Sequence, residues 1–306
     1  MPIVKTLFRL MKNPQKLVRI LGDKGFFNWL SDEQYLKLIY RAETGKKLNL
    51  INPKSFNEKL QWLKLYYRNP QYVKLVDKYE VRKYIAEKIG EEYIIPLIGV
   101  YNSVDEIDWD SLPEQFVLKC THGSGCNIIC KNKSELNINL AKQKLHKWMK
   151  KNWYWFGREW PYRNVKPRII CEPLIKTNDD TLPNDYKFHC FHGEPDNVMV
   201  CMERESGEPK FYFFDSKWNL LRYNISGINA PHDFTLPKPE RIDEMFSIAK
   251  RLSEGFPFVR VDLYYENDKI YFGELTFYPQ SGFDPNLLPE TDLLFGDKIK
   301  LDKIKK

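Results

Sequence analysis

The sequence contains no apolar run of about 18 residues, the length that a membrane-spanning helix needs. It also lacks internal repeats and low-complexity tracts, which excludes a repeat architecture. The stretch "MPIVKTLFRLMKNPQKL" lacks the long apolar region and small-residue cleavage site of a signal peptide, since charged residues interrupt its apolar runs. We therefore expect a cytoplasmic protein whose six cysteines stay reduced.

Motifs for nucleic-acid binding are missing as well. The net charge of +7 is spread along the chain, so we expect no nucleic-acid partner. Basic and apolar residues are mixed in "VKTLFRLMKNPQKLVRIL", where a basic amphipathic helix is predicted. Such a helix either packs on the protein surface or makes a peripheral contact with the inner face of a cell membrane. Its basic residues are Lys5, Arg9, Lys12, Lys16 and Arg19.

What the chain does contain is a helical first third followed by β-rich segments. Hydrophobic residues make up 42% and aromatic residues 15%, which is typical of a globular protein with a real core. Residues 3–98 show helical spacing, with a capping box at Ser55 and Glu58 and a glycine stop at Gly90. From about residue 92, short β-rich runs such as "FPFVRVDLYY" dominate. The order predicts an α+β fold with a mainly antiparallel sheet.

Three cysteines and a histidine cluster in "FVLKCTHGSGCNIICK", residues 116–131. Structural zinc sites usually use close pairs such as C-x2-C, whereas Cys126 and Cys130 flank a predicted strand and would lie about 13 Å apart. A redox centre is disfavoured too, because the sequence contains no C-x-x-C pair. We therefore predict that Cys120, Cys126 and Cys130 are small buried residues of a sheet.

The same segment suits phosphate binding better. Gly123 and Gly125 allow backbone N–H groups to turn toward an anion. A Walker A loop is excluded, because the glycines precede a strand and not a Lys-Ser/Thr pair and a helix. Lys119, in the middle of the strand "FVLKC", faces either solvent at a sheet edge or an anion, and this stretch alone favours neither.

Two acidic residues meet in the predicted hairpin "FVRVDLYYENDKIYFGELTFY". A two-residue turn at Asn267–Asp268 would place Asp262 opposite Gly273. A three-residue turn at Asn267–Lys269 places Asp262 opposite Glu274 instead. We favour the second register, because it separates polar from apolar side chains. Its polar face carries Arg260, Asp262, Tyr264, Phe272, Glu274 and Thr276, and its apolar face carries Val261, Leu263, Tyr265, Tyr271, Gly273, Leu275 and Phe277.

Directly opposed carboxylates repel each other unless a cation lies between them. Mg²⁺ prefers oxygen ligands and commonly also holds substrate phosphates, so Asp262 and Glu274 are candidate Mg²⁺ ligands. The alternative is a solvent-facing pair in which Arg260 neutralises one carboxylate.

In combination, these features resemble the ATP-grasp fold, and in particular its TupA-like branch, which is associated with teichuronopeptide and other cell-surface polysaccharide synthesis. The resemblance covers residues 51–290 and is carried by "FNEKLQWLKLYY", "LVDKYEVRKYI", "KCTHGSG", "DYKFHCFHGEP" and "GELTFYPQSGF". It implies two α+β lobes that grip ATP, preceded by a mainly helical region. The implied segments are a helical region at 1–75, the first part of the ATP-grasp core at 76–112, a lid with the glycine-rich loop at 113–175, and a C-terminal lobe with the Mg²⁺-binding hairpin at 176–306.

The resemblance also implies roles for single residues, with ATP and Mg²⁺ as cofactors. Arg260 and Lys119 would be catalytic, and Asp262, Glu274 and Thr276 would hold Mg²⁺. Many family members have Asn at the position of Thr276, which leaves the number of Mg²⁺ ions open. The implied ATP ligands are Lys78, Lys119 and Lys187 at the phosphates, His122, Gly123, Ser124 and Gly125 in the lid loop, Glu172, Leu174 and Ile175 at adenine, and Asp185 at ribose. His122 and His189 are expected to be hydrogen-bonded structural histidines.

The implied reaction is amide formation between a carboxylate and an amine through an acylphosphate, with a uronic acid of a surface polysaccharide as a possible carboxylate. In such reactions, positive charge and Mg²⁺ stabilise the transferring phosphoryl group. One alternative is a glycosyltransferase or another sugar-modifying transferase, for which the D-x-D motif at Asp108–Asp110 is the only candidate. The other is an ATP-grasp kinase that stops after phosphoryl transfer.

Overall fold

The structure is a computed structural model, and it describes residues 14–177, 181–204 and 207–304. Its helices are α1 (Pro14–Asp23), α2 (Asp32–Thr44), α3 (Phe56–Tyr66), α4 (Tyr72–Leu75), α5 (Val81–Lys88), α6 (Ile138–Met149), α7 (Tyr154–Gly157), α8 (Ile225–Asn229), α9 (Ile242–Ser253) and α10 (Pro289–Lys298). Its strands are β1 (Gly99–Tyr101), β2 (Phe116–Cys120), β3 (Asn127–Cys130), β4 (Ile169–Pro173), β5 (Asp185–Phe191), β6 (Glu194–Met202), β7 (Lys210–Phe214), β8 (Leu220–Leu221), β9 (Phe258–Glu266) and β10 (Lys269–Thr276).

The described residues form two compact units. The first contains the residues up to Asn69, the segment Trp153–Arg163 and the residues from Tyr278 onward. The second contains the described residues of Pro70–Asn152 and Asn164–Phe277. The four segments implied by the family resemblance, with bounds at residues 75, 112 and 175, stay a prediction.

Helix α1 covers the last part of the predicted basic helix. Arg19, on α1, forms an ion pair with Glu43, with 2.6 Å between Nε and Oε1. In the part of the chain that the structure describes, no helix is both long and apolar enough to cross a membrane. Outside the described residues lie Lys5, Arg9, Lys12 and the side chain of Lys16.

Helices dominate the first unit, and the predicted capping box is confirmed at the start of α3. The Ser55 hydroxyl accepts a hydrogen bond from the Glu58 N–H (3.3 Å), and the Glu58 carboxylate accepts one from the Ser55 N–H (3.2 Å). The same reciprocal pair, Ser31 and Gln34, begins α2. The core of this unit is built from Tyr35, Leu36, Ile39, Tyr40, Leu48 and Phe283.

A fully buried lysine holds the tightest loop of the first unit. Residues 280–282 all lie in the left-handed backbone region, with φ between 47° and 65°. The Lys64 ammonium group donates hydrogen bonds to the carbonyl oxygens of Ser281 (2.6 Å) and Gly157 (2.7 Å), and Gln61 donates one to Gly282 (2.7 Å). A buried charge is costly unless it is hydrogen-bonded, so these carbonyls stabilise Lys64 while Lys64 fixes the loop. The motifs "FNEKLQWLKLYY" and "GELTFYPQSGF" therefore contact each other, since the first contains Lys64 and Gln61 and the second contains the loop at 280–282.

The second unit contains two antiparallel sheets, as the α+β prediction requires. The four-stranded sheet has the order β1-β4-β2-β3, and the six-stranded sheet has the order β10-β9-β5-β6-β7-β8. Helix α9 packs against β9, β5 and β6. All six cysteines are free thiols and buried, which confirms the prediction for the three in the glycine-rich segment.

The β9–β10 hairpin brings Asp262 opposite Glu274, as predicted, but by a different route. Asn267 and Asp268 form a two-residue turn with φ of 50° and 57°, so the predicted three-residue turn is wrong. Asn and Asp tolerate the left-handed conformation that such turns require. A bulge at Gly273 then shifts the register by one residue, which restores the pairing of the two carboxylates.

The bulge also changes the face on which two aromatic residues lie. Before the bulge, Phe272 pairs with Leu263 and Tyr271 pairs with Tyr264. Phe272 therefore lies on the apolar face and Tyr271 on the polar face, the reverse of the prediction. The two residues exchange faces because the two-residue turn offsets the alternation of side chains by one residue in the segment between the turn and the bulge.

The close approach at the bulge can be tested with Gly273→Ala. A Cβ atom at position 273 would lie 2.9 Å from the backbone oxygen of Asp262 and 3.2 Å from the Tyr264 ring, so the backbone must move. We expect a loss of about 2–3 kcal/mol in the free energy of unfolding, measured by urea denaturation. The comparison is Gly255→Ala, where φ is 81° but no atom lies within 4 Å. That variant should lose only about 1 kcal/mol, from left-handed strain, and equal losses would contradict the close approach.

Candidate active site

One face of the six-stranded sheet carries the residues predicted for Mg²⁺ and ribose and one of the three lysines predicted for the phosphates, Lys187. Antiparallel pairing of β5, β9 and β10 places them in three adjacent rows across the sheet. The outer rows contain the predicted catalytic arginine on one side and the predicted ribose residue on the other. The rows are His189, Arg260 and Thr276, then Lys187, Asp262 and Glu274, then Asp185, Tyr264 and Tyr271.

A buried ion cluster occupies the middle of this face. The Arg260 guanidinium donates two hydrogen bonds to Asp262, from Nε to Oδ1 (2.6 Å) and from Nη2 to Oδ2 (2.7 Å). Lys187 Nζ lies 2.5 Å from Asp262 Oδ2, and Arg260 Nη2 lies 3.3 Å from Glu274 Oε1. Neutralisation by Arg260, the alternative considered above, is therefore present in the structure. However, Asp262 is buried and not solvent-facing, since only 1% of its surface is exposed.

The two opposed carboxyl groups have different electrostatic surroundings. Burial raises the pKa of Asp262, although Arg260 and Lys187 act in the opposite direction. Burial also opposes ionisation of Glu274, but Lys78, Arg260 and Lys187 together outweigh it and lower its pKa to about 2. Glu274 is therefore the carboxylate that stays ionised over the widest pH range.

The donor chemistry of this row suits Mg²⁺. Asp262 and Glu274 supply hard carboxylate oxygens from adjacent strands, and the Thr276 hydroxyl lies 3.1 Å from Glu274 Oε1. Mg²⁺ is commonly held by one or two carboxylates together with substrate phosphates, so two protein carboxylates are sufficient. A site made of protein ligands alone is a different case: within residues 14–177, 181–204 and 207–304, no group of three or more His, Cys, Asp or Glu side chains is placed to hold a metal ion.

Lys78 connects the glycine-rich loop with the carboxylate row. Its ammonium group donates a hydrogen bond to the Gly123 carbonyl (2.7 Å) and lies 3.8 Å from Glu274 Oε2. The loop joins β2 to β3, as predicted, and turns at Gly125, where φ is 70°. Ser124 and Gly125 are exposed, so this part of the loop is accessible to a ligand.

Lys119 lies on an interior strand, and the edge-lysine alternative is wrong. Strand β2 pairs with both β4 and β3, and Lys119 Nζ lies 2.6 Å from Glu172 Oε2 on β4. In the structure, the anion that Lys119 faces is the Glu172 carboxylate. Arg82 Nη1 lies 3.7 Å from the other oxygen of Glu172, so two cations share one buried carboxylate.

Both candidate histidines are held by hydrogen bonds, as expected. His122 Nε2 lies 3.1 Å from the Trp148 carbonyl oxygen, which can only accept, so Nε2 carries the proton. His189 Nδ1 lies 3.0 Å from Asn197 Oδ1. Burial lowers the pKa of both rings, to about 3 for His189, and both are therefore neutral at physiological pH.

A small, mostly apolar cavity of about 60 Å³ lies beside the predicted adenine residues. Leu174 and Ile175 line it together with Glu172 and Lys119. Asp185 is buried and pairs across the sheet with Tyr264, which lines this cavity. Its Oδ1 has no hydrogen-bond partner in the structure, while its Oδ2 lies 2.5 Å from Lys187 Nζ. A buried acceptor without a donor is costly, which fits a position where a ligand hydroxyl donates a hydrogen bond. Further wall residues are Ile95, Val117, Leu182, Pro183 and Tyr264.

Two arginines at these cavities were missed by sequence reasoning. Arg82 lines a second small cavity with Lys78 and Lys119, and its position four residues after Lys78 was the available signal. Arg204 lines the apolar cavity, lies 5.7 Å from the Tyr264 ring and donates a hydrogen bond to the Pro183 carbonyl (3.3 Å). Nothing in the local sequence indicates Arg204, because its place depends on the pairing of β6 with β5.

The D-x-D motif of the transferase alternative lies in an exposed turn. The Asp108 carboxylate accepts a hydrogen bond from the backbone N–H of Asp110 (3.2 Å), and the central Trp109 is buried. This arrangement caps the turn, and neither aspartate belongs to the ion cluster described above.

The family model described as TupA-like ATPgrasp matches residues 58–300. The chain belongs to the TupA-like ATP-grasp family. This confirms the family resemblance and, with the two observed antiparallel sheets, the α+β ATP-grasp fold. A comparison with curated proteins finds no significant match. The roles of single residues in ATP and Mg²⁺ binding stay predictions for this family member.

Several solved structures are similar to the chain at low identity. The D-alanine–D-alanine ligase of Bacillus anthracis is 14% identical, with a TM-score of 0.43 over 80% of this chain and 69% of that one. The corresponding ligase of Helicobacter pylori is 14% identical, with a TM-score of 0.42 over 82% and 68%. The ATP-grasp ligase PsnB, complexed with a phosphomimetic variant of its minimal precursor, Mg and ADP, is 10% identical, with a TM-score of 0.42 over 92% and 74%. At these values the likeness carries no information about activity.

Glu274→Gln tests the charge balance of the ion cluster. Since the pKa of Glu274 in the folded protein, about 2, lies below its ordinary value of 4.5, the ionised group stabilises the fold above pH 4.5, and this contribution disappears as the pH falls toward 2. We expect a loss of about 1–2 kcal/mol in the free energy of unfolding at neutral pH, because water at the partly exposed side chain weakens its ion pairs.

In urea denaturation, the loss should shrink as the pH is lowered from about 5 to about 3. Glu87→Gln, which removes an exposed carboxylate paired with Lys83, is the control and should cost about 0.5 kcal/mol or less. A loss at Glu274 that does not change with pH would contradict the assigned ion pairs.

Proposed function

We propose that this protein is an ATP- and Mg²⁺-dependent ligase that joins a carboxylate to an amine through an acylphosphate. The observation that supports it most is the pairing of Asp262 with Glu274, with Arg260 and Lys187 placed against them on one face of the sheet. A scaffold has no need for two opposed carboxylates, one of them buried, with one cation in the same row and a second cation in the next row. Membership in the TupA-like ATP-grasp family supports a uronic acid of a surface polysaccharide as the carboxylate substrate.

Each set of residues contributes to one part of the proposed reaction. The apolar cavity at Leu174 and Ile175 holds adenine, and Asp185 Oδ1 accepts a hydrogen bond from a ribose hydroxyl. Lys78 and Lys119 neutralise phosphate oxygens as point charges. Asp262 and Glu274, with Thr276 beside them, hold Mg²⁺. When bound, Mg²⁺ supplies positive charge that stabilises the phosphate oxygens.

The proposed chemistry proceeds in two displacements. A carboxylate oxygen of the substrate attacks the γ-phosphorus of ATP, the bond to the β-phosphate oxygen breaks, and ADP leaves. The amine then attacks the acyl carbon, inorganic phosphate leaves, and the nitrogen releases a proton to solvent. Arg260, held in place by its two hydrogen bonds to Asp262, stabilises the negative charge that spreads over the transferring phosphoryl group.

The reaction class is tested by incubating the purified protein with ATP, Mg²⁺, a panel of uronic acids and a pool of amino acids. ADP and phosphate release that requires both an acid and an amine supports the ligase. Formation of a phosphorylated acid without any amine would assign the kinase reaction instead. Product formation from a sugar nucleotide in the absence of ATP would assign a transferase and refute the ligase.

Asp262→Asn should reduce ATP turnover at least about a thousandfold while the fold is retained. The amide keeps the size of the side chain but removes the charge that attracts Mg²⁺ and orients Arg260. Asp268→Asn is the control, since Asp268 lies in the exposed turn of the same hairpin, where Asn also adopts the left-handed conformation. Turnover is followed by ADP release and folding by circular dichroism. Equal activity in the two variants would refute the Mg²⁺ assignment.

Lys78→Met should weaken ADP binding about tenfold or more, because a charge-assisted contact with a phosphate is lost. Lys83→Met is the matched control: Lys83 lies on α5 just beyond Lys78, and its exposed side chain forms an ion pair with Glu87 at 3.8 Å. Isothermal titration calorimetry with Mg²⁺ and ADP measures both affinities. Unchanged binding in Lys78→Met would remove Lys78 from the nucleotide site.

A further inference from the structure

The connection between α1 and α2 exposes two large aromatic side chains. We name residues Lys24–Leu30 the aromatic turn. In it, 64% of the surface of Phe26 and 78% of that of Trp29 are exposed. Single exposed apolar residues are common on protein surfaces, but a tryptophan and a phenylalanine three residues apart on one turn form a patch that calls for a partner.

The exposure of these rings is built into the fold. Phe27 and Leu30, the residues that directly follow Phe26 and Trp29, point inward and pack against the core of the first unit. The buried Arg158 donates a hydrogen bond to the Phe27 carbonyl (3.2 Å). Gly25 makes the turn possible with a φ of 78°, and the Asn28 N–H donates to its carbonyl (3.0 Å). The backbone of the turn is therefore fixed in a way that directs Phe26 and Trp29 outward.

The sequence that leads into the aromatic turn is strongly basic. The first 24 residues contain six Lys or Arg and a single acid, Asp23, so most of the chain's net charge of +7 arises there. Lys24, the last of the six, is exposed and begins the turn. Exposed Trp and Phe side chains beside a cluster of basic residues are the combination by which peripheral proteins bind anionic bilayers.

We propose that the aromatic turn docks this protein on an anionic lipid bilayer. Phe26 and Trp29 enter the headgroup region, and the basic residues of the N-terminal sequence supply the attraction to anionic lipids. A second copy of the chain is a poor occupant of this surface, because it would bring an equally positive segment against the first one. The proposal is independent of the ligase reaction, since no residue of the polar sheet face takes part in it.

Vesicle flotation with the full chain tests the docking. We expect binding to phosphatidylcholine vesicles that contain phosphatidylglycerol, and binding at least about tenfold weaker to phosphatidylcholine alone or at high salt. The double variant Phe26→Ser with Trp29→Ser should lose at least about tenfold in partitioning, because the insertable apolar area is removed. The matched control is Ile225→Ser with Ile228→Ser, another apolar pair three residues apart, exposed by 59% and 50%, which should bind like the unchanged protein.

A second measurement does not depend on the serine variant. Lipids brominated near the headgroup should quench part of the tryptophan fluorescence of the unchanged protein, and Trp29→Phe, which keeps an aromatic ring, should bind but lose that quenching.

The proposal is overturned if the unchanged chain does not float with anionic vesicles, or if the serine variant and the isoleucine control bind equally well. Quenching that persists in Trp29→Phe would also overturn it. Sedimentation that reveals a dimer abolished by the serine variant would assign the surface to a second copy instead.

Discussion

The opposition of Asp262 and Glu274 is the constraint on which the polar face of the second unit depends. Two carboxylates facing each other in a sheet repel, and here the repulsion is relieved by Arg260 and Lys187. The cluster has a cost, because each of these charges is withdrawn from water, and burying an ion pair often gains little stability. Its retention at the centre of a sheet is easier to understand as a requirement of chemistry than of folding. The hydrogen bonds that satisfy Asp262 also orient Arg260, so the groups proposed to bind a polyphosphate and a divalent ion hold one another in place.

The sequence predicted the local elements of this site well and their partners poorly. The capping box at Ser55, the glycine-rich loop and the pairing of Asp262 with Glu274 all depend on residues close in sequence or on a clear polar–apolar pattern. The pairing was nevertheless reached through a wrong turn, because a one-residue error in the turn and an unpredicted bulge at Gly273 cancelled each other. A bulge leaves little trace in a pattern of alternation, and only the close contact of Gly273 with the neighbouring backbone explains the glycine.

Long-range strand order accounts for what could not be predicted. The partner of Lys119 is Glu172, which becomes a neighbour only because β4 lies beside β2, more than fifty residues away in the chain. Arg204 reaches the apolar cavity through the pairing of β6 with β5 in the same way. In the first unit, Lys64 looks like an ordinary helical lysine until the loop at 280–282 is packed against it. Propensity and periodicity contain no information about such contacts. The family motifs include both Lys64 and the loop at 280–282, but the motifs alone do not show that the two are in contact.

The bulge at Gly273 has a consequence for how this hairpin can change in evolution. Between the turn and the bulge, the pairing of residues across the two strands is displaced by one residue relative to the pairing of Asp262 with Glu274. Because Gly273 is the extra residue of the bulge, its deletion would leave Phe272 opposite Leu263 and Glu274 opposite Asp262 in a regular hairpin with the same two-residue turn. The turn can also change in length without moving the carboxylate row, as long as Lys269 still pairs with Glu266. Hairpins of different length, with or without the bulge, can therefore preserve the pairing of Asp262 with Glu274.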